Sequence, residues 1–485
     1  MSDQESSSEI TQSQSKNEKL LKKSNQKQDD VEMAKVADVK LSYWKIFMIC
    51  AATFVNSFSG VINNSLITPL MNDVIHFEPY QSQIIWYFGP ICGFVVQPLV
   101  GVISDHLHFK YGRRRIFILL GTVFLIISYA FIFALLFWNI SQTAKKIIFV
   151  IAYFMQYASC NVMQGCARFI VGDLVPDSQQ MIANTMIVFI SAFCSIFGNL
   201  MSGFKVGTLI GEKYGNSMDD TKLMFIIGMI FMFLGCFITV CFVKEEQYTG
   251  NAPKENPFKK LWFALIHIKK PVLVINLVCA MSWMTFWPVC MNLSGFMTND
   301  VFKAHNLGTY EDGLRWGMIT WAVNAAVTVI FGFVLNPLIK KFGMKYTYAF
   351  SQALECVCLL PSNWITSNKW ACMILMAILG VSTTCYSSIP YALIAQLLPP
   401  TQVGTYMGLL NMFLVVGQLI SSIFICTLIG GKVFPGEYKQ TFSIAAGVAV
   451  ISCISCFFIT EKDNGTIENE DEYSTESSYD RPDSL

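Results

Sequence analysis

The sequence is poor in charged residues. Only 14% of its 485 residues are Asp, Glu, Lys or Arg, and 34 basic against 33 acidic side chains leave a net charge of +1. Soluble proteins usually carry about 25% charged residues, so most of this chain is not built to face water. A near-neutral chain also lacks the basic surface typical of nucleic-acid-binding proteins, and we expect no nucleic-acid partner.

Motifs for metals, cofactors and catalysis are also missing from the sequence. The 16 cysteines lie mostly inside apolar stretches, and none has the spacing of a zinc site. Cysteines in such surroundings pack as small apolar side chains. We therefore expect no metal, no cofactor and no enzymatic activity. Residues 1–40 are polar and show no cleavable signal peptide, so we expect the first apolar run to be a true membrane span.

What the chain does contain is apolar residues, which make up 53% of it and give a mean hydropathy of +0.47. They fall into runs of about 20 residues, the length that crosses the hydrocarbon core of a bilayer. This predicts an all-α integral membrane protein with about twelve transmembrane helices and a lipid bilayer around it. The runs lie near 46–70, 83–104, 116–138, 147–171, 182–209, 223–243, 271–297, 316–339, 346–366, 370–397, 402–429 and 440–460.

Lysine and arginine are distributed unevenly between the connecting loops. They are concentrated before the first run and in the loops after the second, sixth and eighth runs. The positive-inside rule then places both termini and the central loop in the cytoplasm. The membrane that the protein spans is expected to be the plasma membrane or an endomembrane such as that of the vacuole. The predicted units are a disordered tail over 1–40, six-helix halves over 41–243 and 271–460, a central loop over 244–270 and an acidic disordered tail over 461–485.

A loop motif occurs twice with the same spacing. A Gly is followed after four residues by Asp or Asn, and after seven more by a second Gly. Two related halves of six helices are typical of secondary transporters that bind substrate between the halves, near mid-membrane. The two copies are Gly101, Asp105, Gly112 and Gly332, Asn336, Gly343.

The first copy of this motif predicts a gate at the cytoplasmic end of the second span. Asp105 needs a cationic partner there, and the arginines that follow Gly112 can supply it. Such a pair can hold one arrangement of the halves and release it in the other. The alternative is that these arginines only set the topology. The gate residues are Gly101, Asp105, Gly112, Arg113, Arg114 and Arg115.

The residues around this loop carry a family resemblance. Ile85–Pro90 and Val96–Gly101 contain a Trp, a Gly-Pro pair and a Gln-Pro pair, and Ser104-Asp105 and Gly112–Arg115 follow. This pattern resembles the plant sucrose/proton symporters and their animal relatives, in the glycoside–pentoside–hexuronide group of the major facilitator superfamily. Further matches, in order along the chain, are Leu66–Pro69, Ala167-Arg168 with Asp173-Leu174, Trp283 with Phe286–Pro288, Tyr310 to Asn324, Ser388–Leu393, and Gly408, Asn411 and Gln418.

The resemblance implies proton-coupled transport of a sugar, a sucrose- or maltose-like glycoside, by alternating access. The sequence departs from the family in the seventh span, where Asn292–Met297 contains none of the family's acids, and in having Ile116 and Gly417 in place of two prolines. Two alternatives therefore stay open. One is a facilitator of the same fold that moves another small solute without proton coupling, and the other is a nutrient sensor that does not transport.

Ionisable residues inside a span are costly and indicate function. The resemblance implies that Arg168 holds substrate or couples substrate binding to the movement of the halves. The alternative is that its side chain only extends to the membrane surface to place its charge in water. Asp173 either meets substrate or pairs with the arginine cluster. Glu355 is a possible proton carrier in place of the missing acids, and Arg315 is either an outer gate residue or a surface ion pair.

A sugar site needs aromatic faces for the ring and amides or hydroxyls for its hydroxyl groups. Each polar residue can instead join helices to each other, a contact worth about 0.6 kcal/mol on average. The remaining candidates for substrate binding or coupling are Asn63, Asn64, Gln97, Gln164, Trp283, Trp287, Asn324, Tyr391, Asn411 and Gln418.

Overall fold

The computed structural model describes residues 40–106, 109, 112, 114–176, 179–214, 218–245, 257–398 and 400–461. Arg113 and almost all of the two tails predicted to be disordered lie outside these residues. Within the described part of the chain, the regular elements are all helical.

The described residues of the first half form nine α-helices, several of which combine into single spans. Its helices are α1 (Tyr43–Cys50), α2 (Thr53–Ile62), α3 (Pro79–Ile85), α4 (Phe88–His106), α5 (Arg115–Ala134), α6 (Gln142–Leu174), α7 (Gln180–Gly203), α8 (Val206–Tyr214) and α9 (Asp220–Phe242).

The second half follows a short connecting helix. The remaining helices are α10 (Pro257–Ile266), α11 (Lys270–Gly295), α12 (Tyr310–Phe342), α13 (Met344–Leu359), α14 (Lys369–Leu397), α15 (Pro400–Ile420) and α16 (Tyr438–Cys456).

The helix lengths agree with an all-α membrane protein. Among the described residues, nine helices are long and apolar enough to cross a bilayer, and α1 with the helix after it forms a tenth span bent by 47°. The 19-residue α4 and the 16-residue α13, which a 3₁₀ turn over Leu360–Asn363 extends, bring the number to twelve. The predicted fold class is therefore confirmed.

Two helices are longer than the apolar runs predicted. Both α6 and α12 contain 33 residues. Ser141 caps the start of α6, and a capping box of Thr309 and Asp312 starts α12. Because these caps satisfy the first free backbone N–H groups, each helix begins in a polar stretch before its apolar run.

The buried apolar side chains form two clusters. One joins residues between Ile46 and Val243 and takes in only Met291, Met318 and Cys426 from the second half. The other lies between Val272 and Ile459. Each half thus packs largely around its own core, so the two halves can move relative to each other without breaking either core.

We call the end of the bundle at which residues 40 and 461 lie the terminal end, and the opposite end the distal end. Toward the distal end three spans change from α- to π-helix, at Asn63–Ile67, Phe296–Lys303 and Ser421–Val433. A further π-helical turn, Leu70–Val74, follows the first span. π-Helical turns are uncommon and are often found at functional sites.

The segment between the halves contains α10. Its Trp262, Phe263 and Ile266 are all more than 60% exposed. The predicted central loop over 244–270 thus contains a short helix.

Candidate functional site

The two halves are joined at the distal end by hydrogen bonds between buried side chains. Thr68 of the first half donates its hydroxyl to the carbonyl of Met291 over 2.7 Å and accepts the indole N–H of Trp86 over 3.0 Å. Gln83 donates its amide to Asn292 over 2.9 Å. We call these contacts and the rim around them the distal closure.

The rim of the distal closure is polar. Tyr87 donates to Thr427 over 2.7 Å, Asn72 donates to the hydroxyl of Tyr438 over 3.1 Å, and the Tyr310 hydroxyl donates to Asp73. These contacts between the halves all lie at the distal end. The structure is therefore closed at the distal end.

Asp73 lies in the turn that follows the first span. Burial raises the pKa of its carboxyl, although Tyr310 and the charges of His76 and Lys303 act in the opposite direction. The side chain is nevertheless exposed at the rim, so the carboxyl is only partly dehydrated in this arrangement.

The acid-free stretch of the seventh span is part of the distal closure. Asn292 accepts the bond from Gln83, and Ser294 donates to the carbonyl of Ser65 over 3.0 Å. The sequence shows that acids are missing from this stretch, but it does not show that the neutral residues in their place form hydrogen bonds between the halves.

The terminal end carries an ion-pair cluster. The buried Arg114 pairs with Asp173 over 3.2 Å, donates to Ser104 and lies 4.8 Å from the Phe169 ring centre. The predicted pairing of Asp173 with the arginine cluster is thus present. Arg115 instead donates to the carbonyl of Val240. The side chain of Asp105 lies outside what the structure describes, and the gating role of the cluster stays a prediction.

A carboxylate caps the third span of each half. Glu245, just after α9, accepts the backbone N–H groups of Arg114 and Arg115 over 3.0–3.1 Å. In the second half Glu461, just after α16, accepts the N–H of Lys345. The negative charge also suits the positive end of the helix dipole. Sequence reasoning missed both residues, although extending the repeat to the end of each half would have found them.

The repeated glycines make room for these carboxylates. Gly112 has φ +96° and Gly343 has φ +84°, a region that favours glycine. A Cβ atom at Gly112 would lie 2.3 Å from a Glu245 oxygen, and one at Gly343 would lie 2.9 Å from a Glu461 oxygen.

Several predicted polar residues lie in two clusters, one in each half. In the first half Gln97 donates to Asn161 over 2.8 Å and to Gln164 over 3.1 Å. In the second half Tyr391 donates to Asn411 over 2.8 Å.

Arg168 of the first half lies close to the second of these clusters. Its side chain is exposed, and it lies near enough to Tyr391 of the other half for its charge to act on the phenol. Among the described residues it forms none of the ion pairs. A cation in this position is available to a ligand between the halves.

Other predicted residues serve packing. Asn63 accepts the hydroxyl of Tyr129 inside the first half over 3.2 Å. Asn324 donates to the carbonyls of Met376 and Ala377, so its amide fastens α12 to α14. Both amides thus contact neighbouring helices in this arrangement, and their contact with substrate stays a prediction.

The remaining candidates have distinct surroundings. Trp287 donates to Ser422 over 2.7 Å, and its ring lies edge-on to Trp86 of the other half. Trp283 packs on a tyrosine of α14, Gln418 is buried, and Arg315 pairs with Asp312 on its own helix. The choice between an outer gate residue and a surface ion pair for Arg315 stays a prediction.

Glu355 is fully buried in α13. Gln352 donates to one of its carboxyl oxygens over 3.4 Å, while among the described residues the other oxygen has no hydrogen-bond partner. It is close enough to Cys290 of the seventh span to act on it electrostatically.

A cavity of about 250 Å³ lies where the halves meet, and we call it the seam cavity. Nine of its lining residues belong to the first span and α7, and Trp321 of α12 supplies the wall from the second half. Of these residues, only Asn64 was predicted. The recurrence of Asn56, Gly60 and Asn64 at every fourth position could have revealed this polar face of one helix. The lining residues are Asn56, Ser57, Gly60, Val61, Asn64, Ser65, Ser191, Ser195, Asn199 and Trp321.

The comparisons with known proteins agree on one family. The model of the Major Facilitator Superfamily matches residues 49–310 and 289–478. The sucrose transport protein SUT1 of Oryza sativa subsp. japonica is 26% identical over 468 residues, which cover 82% of this chain and 84% of the relative. The sucrose transport protein SUC3 of Arabidopsis thaliana is 22% identical over 490 residues, covering 78% and 81%.

Solved structures share the fold. A D-xylose–proton symporter superposes with a TM-score of 0.63 at 13% identity, covering 88% of this chain and all of that one. The nucleoside transporter NupG gives a TM-score of 0.63 at 10% identity, covering 86% and 99%.

Proposed function

The chain belongs to the major facilitator superfamily, and on this basis we propose that it moves a sucrose- or maltose-like sugar across a membrane by alternating access, together with protons. The observation that carries the proposal is the match, over about four fifths of both chains, to relatives named sucrose transport proteins.

The geometry provides the two arrangements that alternating access needs. In the closed arrangement, hydrogen bonds at the distal end join the halves. We infer that the Arg114–Asp173 cluster and the two capping carboxylates reorganise at the terminal end when the distal end opens. Because each half has its own core, the change is a movement of one half against the other.

The surroundings of the two polar clusters fit a sugar. Amides of Gln97 and Asn411 and the phenol of Tyr391 offer both donors and acceptors, and Arg168 adds a charge-assisted donor. We further propose that both termini face the cytoplasm, from the distribution of lysine and arginine, and that distal opening exposes the site to the opposite side.

Transport assays in proteoliposomes test the proposal. The purified protein is reconstituted, and uptake of labelled sucrose, maltose and glucose is followed with and without an inward proton gradient. We expect one of these sugars to accumulate only when the gradient is present. Equilibration without a gradient would favour the uncoupled facilitator, and binding without uptake would favour the sensor. If the protein neither binds nor takes up any of these sugars, the proposal of a sugar transporter fails.

Replacing Arg168 with alanine tests its proposed contact with substrate. A hydrogen bond to a charged group is worth about 1.5–3 kcal/mol, so we expect sugar transport at low substrate to fall about 10- to 100-fold. The Arg168→Lys variant keeps the charge and should retain part of the activity. Equal transport by wild type and Arg168→Ala would remove this residue from the site.

Replacing Glu355 with glutamine tests whether this residue carries the proton. The change keeps the shape of the side chain and removes the titrating group, so uptake should become the same with and without the proton gradient. Glu311→Gln, which removes an exposed acid at the start of α12, is the control and should keep the gradient dependence. If Glu355→Gln keeps it too, the proton carrier lies elsewhere.

A further inference from the structure

The seam cavity has the chemistry of a site for an uncharged ligand. Its lining consists of amides, hydroxyls, one indole, one valine and one glycine, and contains no ionisable side chain. A volume of about 250 Å³ holds roughly eight water molecules at about 30 Å³ each, enough space for one sugar ring. A carboxylate or ammonium group placed there would lose its hydration without meeting an opposite charge.

The walls of the cavity are held in place before a ligand arrives. Ser65 donates to Asn199 over 2.6 Å, and Ser57 donates to Ser191 over 2.9 Å, so the first span and α7 are fixed against each other. Asn199 also donates to the backbone carbonyl of Ser195 over 2.8 Å. Pre-organised walls reduce the entropy lost on binding.

Two polar groups in this lining are available to a ligand. The indole Nε1 of Trp321 has no hydrogen-bond partner within the described residues, although Trp321 is only 7% exposed. The amide of Asn64 likewise takes part in none of the side-chain hydrogen bonds formed by this part of the chain. A buried donor without a partner costs about 1–3 kcal/mol, which a ligand hydroxyl would recover.

The cavity also depends on the approach of the halves. Trp321 belongs to the second half, while the other lining residues belong to the first. A ligand that contacts both walls stabilises the arrangement in which they are close and shifts the equilibrium between arrangements.

We propose that the seam cavity binds one uncharged, hydroxyl-rich ring of the substrate, with the Trp321 indole N–H and the Asn64 amide each bonded to a ring hydroxyl. This inference rests on the proposed function and adds to it the residues that select for an uncharged sugar. A sugar acid, whose carboxylate would enter a lining without cations, is excluded from the site.

The test compares single variants in the transport assay with the sugar that the wild type carries. Trp321→Phe keeps the ring and removes the N–H, and Asn64→Ala removes the amide. Since one net hydrogen bond is worth up to about tenfold in affinity, we expect the KM for the sugar to rise about tenfold in each variant. Trp316→Phe is the matched control on the same helix, because Trp316 packs edge-on against Trp370, and its KM should stay unchanged.

Two measurements keep the test valid if a variant folds poorly. The tryptophan fluorescence of the solubilised protein should change on addition of the sugar, and this change should be smaller in Trp321→Phe than in Trp316→Phe. Unlabelled sucrose should compete for uptake of the labelled sugar in the wild type, and the concentration needed for half-maximal competition should rise about tenfold in Trp321→Phe.

The outcomes separate the two proposals. If the wild type transports a sugar while both Trp321→Phe and Asn64→Ala keep its KM, the seam cavity is not the sugar site and the proposed function stands. If the wild type neither binds nor transports any sugar, the proposed function fails and this inference fails with it.

Discussion

Replacing Thr68 with valine is expected to open the distal end of the transporter. Thr68 is only 2% exposed, and its hydroxyl makes two bonds at once, to the carbonyl of Met291 and from the indole of Trp86. Valine keeps the branched shape and removes both bonds. Each buried partner left without a bond costs about 1–3 kcal/mol, so the closed arrangement loses about 2 kcal/mol or more.

That cost applies mainly to one arrangement of the halves. When the distal end opens, water can reach the Trp86 indole and the Met291 carbonyl, so the open form loses less. A difference of about 2 kcal/mol changes the ratio of the two forms about thirtyfold. Hydrogen–deuterium exchange should therefore become faster in the distal turns Asn63–Ile67 and Phe296–Lys303, and sugar uptake should slow because the cycle is held in one form.

The control for this experiment lies in the seventh span. Thr285 is fully buried and donates its hydroxyl to the Met281 carbonyl of its own helix. Thr285→Val therefore removes a buried threonine hydroxyl without touching a contact between the halves, and its exchange pattern should match that of the wild type. Equal exchange in the Thr68 and Thr285 variants would show that the Thr68 contacts do not hold the distal end shut.

A second large effect is expected from Gly112→Ala. Alanine at φ +96° costs about 1–2 kcal/mol, and its Cβ would lie 2.3 Å from the Glu245 carboxylate. If that carboxylate is displaced, the start of α5 also loses its cap, worth about 0.5–2 kcal/mol. The sum is about 1.5–4 kcal/mol of destabilisation, visible as a lower melting temperature of the solubilised protein.

Alanine substitutions at two further glycines with positive φ separate the effect of the backbone from that of the carboxylate contact. At Gly343 the corresponding Cβ would lie 2.9 Å from Glu461, and at Gly436, with φ +82°, nothing lies within 4 Å. The loss of stability should decrease from Gly112→Ala through Gly343→Ala to Gly436→Ala. If Gly436→Ala destabilises as much as Gly112→Ala, the left-handed backbone alone explains the effect and the carboxylate contact contributes nothing.

The sequence predicted the fold well because bilayer thickness and periodic charge act over whole helices. Twelve spans, two halves and the paired loops follow from signals that repeat along the chain. The pairing of Asp173 with the arginine cluster was also predictable, because a half-buried carboxylate near three arginines has few other partners.

Individual site residues were harder to predict. Asn64 and Asn324 look alike in sequence, each a polar amide within an apolar run, yet Asn64 lines the seam cavity and Asn324 is bonded to the backbone of α14. The difference is the direction in which each helix face points, which depends on packing between distant spans. Trp321 was missed for the same reason, since no local signal distinguishes a tryptophan facing a cavity from one facing lipid.

The capping contacts on α5 and α13 can form only late in the synthesis of each half. The helix that Glu245 caps emerges from the ribosome long before Glu245 itself, because the carboxylate follows the sixth span of that half, and Glu461 stands in the same relation to α13. Each half therefore acquires the last contact at its terminal end only when its final span has been synthesised. A chain that stops short of either glutamate leaves the backbone N–H groups at that helix start without their carboxylate cap.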